Sequence, residues 1–283
     1  MIYQLNSDKQ TCLRNTGKPE FIMNFKNLNL INPIIRAMTE AGYSRPTEIQ
    51  CNAIPLILTG RDVVGCSQSG TGKTAAFIMP ILQLLKRHTT EHKEIRILIL
   101  TPTPELARQL EENLGIYSKY LPLSQLSVYE GIPVGSQLAA LRKRVDILVA
   151  TPGRLLDLEN QRHIDLSKIE VFVLDKADKM LEIGLINDIK KVVKLLPQKR
   201  QNLFFSTTIP GSVRHFAGTI LNNPVEVIVS PVSSAAQTAK QQDGFAEKEK
   251  KNDVQTDTLQ KKNIRTMLLT RTKHVTSKLV QQP

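Results

Sequence analysis

Eight consecutive residues have the types and spacing of a loop that binds phosphate groups: Ser67, Gln68, Ser69, Gly70, Thr71, Gly72, Lys73 and Thr74. The two glycines let the backbone curl so that successive N–H groups point at phosphate oxygens, and the helix expected after them adds a favourable partial charge. Lys73 would reach the terminal phosphates, and the hydroxyl of Thr74 would hold magnesium. We call this segment the glycine loop. It predicts a site for a nucleoside triphosphate, although Ser67 stands where the commonest pattern has glycine.

A second group of charged residues, Asp175-Lys176-Ala177-Asp178, ends a buried strand later in the chain. A carboxylate in such a position, here Asp175, can orient magnesium through water. The ammonium group of a lysine has an unperturbed pKa of about 10.4, so Lys176 cannot accept a proton at neutral pH. What the site can do therefore depends on whether this lysine is compatible with turnover.

Short apolar runs alternate with helical patterns from Met23 to about Val229, and these elements must position the charged residues. Most of the apolar runs are continuous, which is typical of strands buried on both faces. The alternation predicts an α/β fold in which helices sandwich a parallel sheet. Strands are predicted at Val63–Cys66, Arg96–Thr101, Leu126–Tyr129, Ile147–Thr151, Val171–Asp175, Leu203–Ser206 and Val225–Val229, and helices at Thr74–Lys86, Glu105–Tyr120, Ser136–Arg144, Ile186–Leu196 and Ser212–Leu221.

Composition and charge restrict the class of protein. The formal net charge of +12 favours a polyanionic partner, with nucleic acid the leading candidate and a basic but inert surface the alternative. Cys12, Cys51 and Cys66 form no CxxC pair, which favours a reduced cytoplasmic protein over a disulfide scaffold or a zinc site. No apolar run reaches the roughly eighteen residues that a membrane helix needs, so no membrane partner is expected.

Segments around the glycine loop resemble the N-terminal, RecA-like P-loop NTPase domain of DEAD-box ATP-dependent RNA helicases, especially those of bacteria. The similarity spans about Phe25–Pro231, and Gly42–Gln50 is similar to the adenine-reading Q motif of that family. The resemblance implies that Gln50 hydrogen-bonds the adenine edge, that Tyr43 stacks on the ring and that Phe25 is the upstream aromatic residue. An amide and a planar ring are what adenine recognition needs. ATP and Mg²⁺ are the implied cofactors.

In that family the charged cluster reads Asp-Glu-Ala-Asp, so Lys176 replaces the glutamate that positions and deprotonates the attacking water. Losing a positioned general base costs on the order of 10²–10⁴ in rate. A cation about 4 Å from magnesium is also repelled by roughly 4 kcal/mol. Lys176 would do less harm if it turned to Asp178 or to the phosphate. Ser206-Thr207-Thr208 replaces a Ser-Ala-Thr motif that links nucleotide state to RNA grip, which puts that coupling in doubt.

The resemblance also implies an RNA-binding face made of three segments, whose candidate contacts are Thr103, Gly131, Thr151, Pro152, Gly153 and Arg154. Thr151–Arg154 opens a helix, where backbone N–H groups and the arginine could contact RNA phosphates. The other two segments depart from the family, because Pro104 replaces an arginine and Glu130 replaces a glycine. Each lost phosphate contact lowers the salt slope by about one unit. We therefore expect weak RNA binding without sequence specificity; no protein partner is indicated.

Polar stretches flank the alternating region and set the expected domain boundaries. We expect residues 1–22 to be a flexible extension, residues 23–231 to be the ATP-binding domain, and residues 232–283 to be a flexible linker with a remnant of a second domain. Residues 233–262 are nearly without apolar side chains and cannot bury enough surface to offset the ordering of their backbone. The second family domain carries a His-Arg-x-Gly-Arg run that this sequence lacks, so we expect a truncated helicase.

The leading interpretation is a DEAD-box helicase domain that binds ATP and RNA but is impaired in hydrolysis and unwinding. Two alternatives stay open, a non-catalytic nucleotide- or RNA-binding module and a decayed copy without function. A different P-loop enzyme, such as a kinase, is disfavoured because Gly42–Gln50 and Thr151–Arg154 would have no role there.

Overall fold

A computed structural model of the chain describes residues 24–87 and 94–229. Within these ranges seven strands form one sheet, and every strand pair in it is parallel. The strands are β1 Val63–Cys66, β2 Ile97–Leu100, β3 Gln125–Val128, β4 Ile147–Ala150, β5 Val171–Leu174, β6 Gln201–Ser206 and β7 Val225–Ile228. Their order across the sheet is β3-β4-β2-β5-β6-β1-β7. The predicted parallel sheet is confirmed.

Helices cover both faces of the sheet. They are α1 Asn32–Glu40, α2 Glu48–Leu58, α3 Lys73–Arg87, α4 Pro104–Tyr117, α5 Val134–Leu141, α6 Pro152–Asn160, α7 Ala177–Glu182, α8 Ile186–Leu195 and α9 Gly211–Gly218, preceded by a 3₁₀ turn at Phe25–Leu28. Successive strand residues face opposite sides, so Ile97 packs in the apolar layer with α1–α4 and Leu98 in the layer with α6–α9. No helix in the described ranges is long and apolar enough to cross a membrane.

Element boundaries depart from the sequence prediction by a few residues. β6 begins at Gln201 instead of Leu203, because Gln201 N–H donates to the carbonyl of Glu170 and Asn202 N–H donates to the carboxylate of Asp62. α4 ends at Tyr117 instead of Tyr120. The predicted extension at 1–22 and the predicted linker and remnant at 232–283 lie outside the described residues.

Parallel strands place their carboxyl ends along one edge of the sheet, where ligands of open α/β sheets bind. The glycine loop follows β1, Thr151 follows β4 and Asp175 follows β5. Ser206 is the last residue of β6. The fold therefore brings the glycine loop, the charged cluster and the proposed RNA face to the same edge.

Candidate functional site

The glycine loop joins β1 to α3 and buries its lysine. Gly70 and Gly72 have φ values of 82° and 91°, in the left-handed region that glycine adopts without a Cβ penalty. Lys73, the first residue of α3, is only 5% exposed. Its ammonium group donates to the carbonyls of Ser67 and Gln68, the latter at 2.7 Å. Burial lowers the pKa of Lys73 to about 8, and the nearby Lys176 ammonium acts in the same direction.

Ser67 has a structural role that explains a serine at this position. Its buried hydroxyl lies 2.7 Å from the hydroxyl of Thr71, which donates in turn to the carbonyl of Gln68 at 2.7 Å. These bonds hold the start of the glycine loop against its centre. The departure from the common glycine is therefore compatible with an ordered loop.

Gln50 contacts the glycine loop directly. Its side chain is 1% exposed, accepts a hydrogen bond from Thr47 N–H at 3.0 Å and donates to the carbonyl of Gly72 at 3.2 Å. A Cβ atom on Gly72 would lie 2.4 Å from Gln50 Nε2, and the positive φ of Gly72 also favours glycine at this position. The structure thus links the predicted adenine-reading segment to the loop, while adenine recognition by Gln50 stays a prediction.

The two predicted adenine-site aromatics occupy different environments. Tyr43 is 39% exposed, and its hydroxyl lies 3.1 Å from that of Tyr117, with the rings edge-on at a centroid distance of 6.0 Å. Burial raises the pKa of Tyr117. Phe25 lies in the apolar core beside α2 and is 3% exposed. Sequence reasoning missed Tyr117, because its position in α4 fits the ordinary core-facing pattern of an amphipathic helix.

Asp175 supplies a buried carboxylate at the end of β5. Its Oδ1 atom has no hydrogen-bond partner among residues 24–87 and 94–229. Burial raises the pKa of Asp175 to about 6, and the charges of Lys176 and Lys73 oppose that rise. A carboxylate oxygen without a partner and the hydroxyl of Thr74, completed by phosphate oxygens and water, form a donor set that suits magnesium. Asp175 and Thr74 therefore fit the predicted metal ion.

Lys176 turns towards the glycine loop and away from Asp178. Its backbone is left-handed, with a φ of 57°, which is uncommon for a residue other than glycine and is often found at functional sites. Its ammonium group donates to the hydroxyl of Ser69 at 3.4 Å. Of the two orientations considered from the sequence, the structure shows the side chain at the glycine loop.

Asp178 ties α7 to the segment Ser206–Thr208. One carboxylate oxygen accepts hydrogen bonds from Thr207 N–H and Thr208 N–H, both at 3.0 Å, and from the Thr208 hydroxyl at 3.2 Å. The hydroxyl of Ser206 accepts from Asp178 N–H at 3.3 Å and donates to the carbonyl of Thr208 at 2.6 Å. Asp178 reaches Thr207 through its backbone, so threonine in place of alanine leaves this connection intact.

Glu130 occupies the N-terminus of α6, the helix that Thr151–Arg154 opens. One oxygen of its carboxylate accepts from the Thr151 hydroxyl at 2.5 Å, and the other accepts from Arg154 N–H at 3.0 Å. A Cβ atom on Gly153 would lie 2.7 Å from the second oxygen. The sequence predicted only an acid near the phosphate path. The structure shows that this acid accepts hydrogen bonds from Thr151 and Arg154, two of the residues that were predicted to contact RNA.

The remaining predicted RNA contacts lie at turns and helix starts. Thr103 precedes α4, and its hydroxyl accepts from Leu106 N–H at 3.4 Å, while Pro104 is the first residue of that helix. Proline is favourable there because the first helical N–H has no partner within the helix. Gly131 has a φ of 92° and follows Glu130 in the turn after β3. Pro152 begins α6.

Comparisons with known proteins agree with this geometry. A family model described as DEAD/DEAH box helicase matches residues 47–216. The chain is 42% identical over 209 residues to the ATP-dependent RNA helicase DeaD of Escherichia coli (strain K12), covering 74% of this chain and 33% of that protein. It is 40% identical over 208 residues to the DEAD-box ATP-dependent RNA helicase RhpA of Helicobacter pylori (strain B128), covering 73% and 41%.

A solved structure supports the fold. The crystal structure of a hypothetical ATP-dependent RNA helicase from Sulfolobus tokodaii matches with a TM-score of 0.65 and 38% identity, covering 70% of this chain and 57% of that one. The chain spans less than half of the length of the two curated relatives. The family model covers more than half of this chain, and its range includes the glycine loop, the charged cluster and Ser206–Thr208. This chain therefore belongs to the DEAD/DEAH box helicase family.

Proposed function

We propose that this chain is an ATP- and RNA-binding helicase domain whose hydrolytic step is impaired. The observation that carries the proposal is that a buried lysine in the glycine loop and a buried carboxylate directly after β5 lie at the same edge of the sheet. Lys73 is 5% exposed and Asp175 is 3% exposed. Burying opposite charges at the carboxyl end of a sheet costs free energy unless a ligand or a metal ion interacts with them. Such groups are therefore candidates for a functional site.

Each group at this site has a defined task in binding. Lys73 and the N–H groups of the glycine loop would hold the terminal phosphates. Thr74 and Asp175 would hold Mg²⁺, which would neutralise phosphate charge when bound. Gln50 and Tyr43 would contact the adenine base. The main contribution of Lys73 to this arrangement would be charge-assisted hydrogen bonds from its ammonium group to the phosphate oxygens.

The proposed impairment of ATP hydrolysis follows from Lys176. Its ammonium group cannot take a proton from an attacking water at neutral pH, and the loss of a positioned base costs on the order of 10²–10⁴ in rate. The contact between Lys176 and Ser69 also favours a second function, a module that holds nucleotide without turning it over. We propose that neither ATP hydrolysis nor duplex unwinding proceeds at a useful rate.

A titration of the purified 283-residue chain with ATP and with ADP tests the proposal. Calorimetry in magnesium buffer should show one saturable nucleotide site, and phosphate release with single-stranded RNA should not exceed the rate in buffer. If neither nucleotide produces binding heat, the binding proposal is wrong. RNA-stimulated phosphate release that disappears in Lys73→Met would instead overturn the proposed impairment.

RNA binding is proposed to be weak because Glu130 competes with RNA phosphates. Glu130 is exposed, and two unit charges about 4 Å apart repel by about 1 kcal/mol in water and about 4 kcal/mol near a protein surface. Replacing Glu130 with glycine should therefore raise the affinity for single-stranded RNA about 30-fold at low salt. Fluorescence anisotropy with a labelled RNA measures this change.

Two further variants distinguish the effect of the Glu130 charge from the effect of having a side chain at the N-terminus of α6. Glu130→Gln keeps a side chain at the N-terminus of α6 but removes its charge, so we expect a smaller gain in RNA affinity than for Glu130→Gly. Glu112→Gln makes the same change of charge on α4, where the only ion pair of Glu112 within the described residues is with Arg108, and should leave RNA affinity unchanged. An unaltered affinity in Glu130→Gly would show that this carboxylate does not obstruct RNA.

A further inference from the structure

Two lysines from different parts of the chain converge on the glycine loop. Lys73 enters from the start of α3 and lies against the carbonyls of Ser67 and Gln68. Lys176 enters from the turn between β5 and α7 and reaches the hydroxyl of Ser69 at 3.4 Å. Since β6 lies between β5 and β1, the Lys176 side chain spans the end of β6 to make this contact.

Of the two carboxylates in the turn after β5, only one is available to offset the positive charges of Lys73 and Lys176. The Asp178 carboxylate accepts hydrogen bonds from the backbone N–H groups of Thr207 and Thr208 and points into the protein. Asp175 is the remaining carboxylate of the turn, and it is 3% exposed. The glycine loop therefore has two ammonium groups close to it, the buried one of Lys73 and that of Lys176, beside one buried carboxylate, and this arrangement favours the binding of a polyphosphate.

We propose that Lys176 supplies, at the phosphates of a bound nucleotide, the positive charge that a divalent ion otherwise supplies. The site would then keep its affinity for nucleoside di- and triphosphates when Mg²⁺ is removed, while Thr74 and Asp175 would still hold the ion when it is present. This inference rests on the proposed nucleotide-binding function. A lysine suits the role because its ammonium is a compact point charge with three donors on a flexible stem, and it already lies at the loop that would hold the phosphates.

The test compares nucleotide affinity in excess magnesium with affinity in excess chelator, using ADP and ATP and the full chain. The two affinities of the unaltered protein should differ by less than about threefold, against at least about tenfold for a site that needs the metal charge. In Lys176→Glu, affinity in chelator should fall at least about tenfold and should recover when magnesium is added.

Two lysine-to-glutamine variants complete the comparison. Lys176→Gln removes the positive charge without reversing it, and its nucleotide affinity in chelator should also fall. If thermal melting shows that Lys176→Glu does not fold, Lys176→Gln takes its place as the test of the inference. Lys179→Gln removes an exposed lysine of α7 whose side chain lies outside the loop contacts, and it should match the unaltered protein. A dependence on magnesium in the unaltered protein, or full metal-free affinity in Lys176→Gln, would overturn the inference while leaving nucleotide binding intact. No binding in either buffer would instead refute the proposed function.

Discussion

Replacing Lys73 with methionine is expected to weaken the binding of ATP and ADP by at least about 30-fold. Lys73 is 5% exposed, and its ammonium group is already held by two backbone carbonyls of the glycine loop. Removing one partner of a buried, hydrogen-bonded charge pair costs about 2–5 kcal/mol, and about 1.4 kcal/mol corresponds to tenfold in affinity. Methionine has a similar length but offers no charge and no donor, so the phosphates would lose both.

A competition assay against a fluorescent nucleotide measures this loss. Lys168→Met, which removes a charge from an exposed lysine in the connection before β5, is the matched control and should bind nucleotide normally. Thermal melting of both variants shows whether the fold is retained. Normal nucleotide affinity in a folded Lys73→Met protein would mean that nucleotide binds elsewhere or not through this lysine.

Replacing Asp62 with alanine is expected to lower the free energy of unfolding by about 3 kcal/mol. The Asp62 carboxylate is 7% exposed and accepts three hydrogen bonds at the amino ends of the strands. Its donors are Asn202 N–H at 2.7 Å, Asn202 Nδ2 at 3.0 Å and Asn222 N–H at 2.7 Å. Alanine would leave the two donors of buried Asn202 without this partner, and each such donor costs about 1–3 kcal/mol. These bonds join β1, β6 and the segment before β7, so their loss should loosen one half of the sheet.

Urea unfolding followed by circular dichroism measures the change at Asp62. Asp188→Ala serves as the control, since it breaks a solvent-exposed ion pair with Lys191 on α8 and should cost less than about 1 kcal/mol. Asp62→Asn keeps an acceptor for Asn202 N–H and should fall between the two. If Asp62→Ala were as stable as Asp188→Ala, the carboxylate would not be holding the strands together.

Local sequence patterns were sufficient for the fold and for the glycine loop. Each of the seven strands overlaps a predicted apolar run. The signal is clearest for β1, β2, β4 and β5, which are buried at every position, because a strand buried on both faces needs apolar residues throughout. The glycine loop is equally local, since the conformations of Gly70 and Gly72 depend on residues within a single turn. β6 shows the limit of such patterns: Gln201 and Asn202 are polar, and only Glu170 and Asp62 from other segments explain why they join the strand.

The sequence by itself determined the parallel sheet, the glycine loop and the place of each charged residue at a strand end, because these follow from short-range periodicity and backbone geometry. Only the tertiary structure decided which partners the long polar side chains take. Lys176 could reach Asp178 or the glycine loop, and the order of β5, β6 and β1 places Ser69 within its reach. The Glu130 carboxylate accepts hydrogen bonds at the N-terminus of α6 because the ends of β3 and β4 are neighbours in the sheet. A flexible side chain has several rotamers of similar energy, and the neighbours that select one of them come from distant parts of the chain.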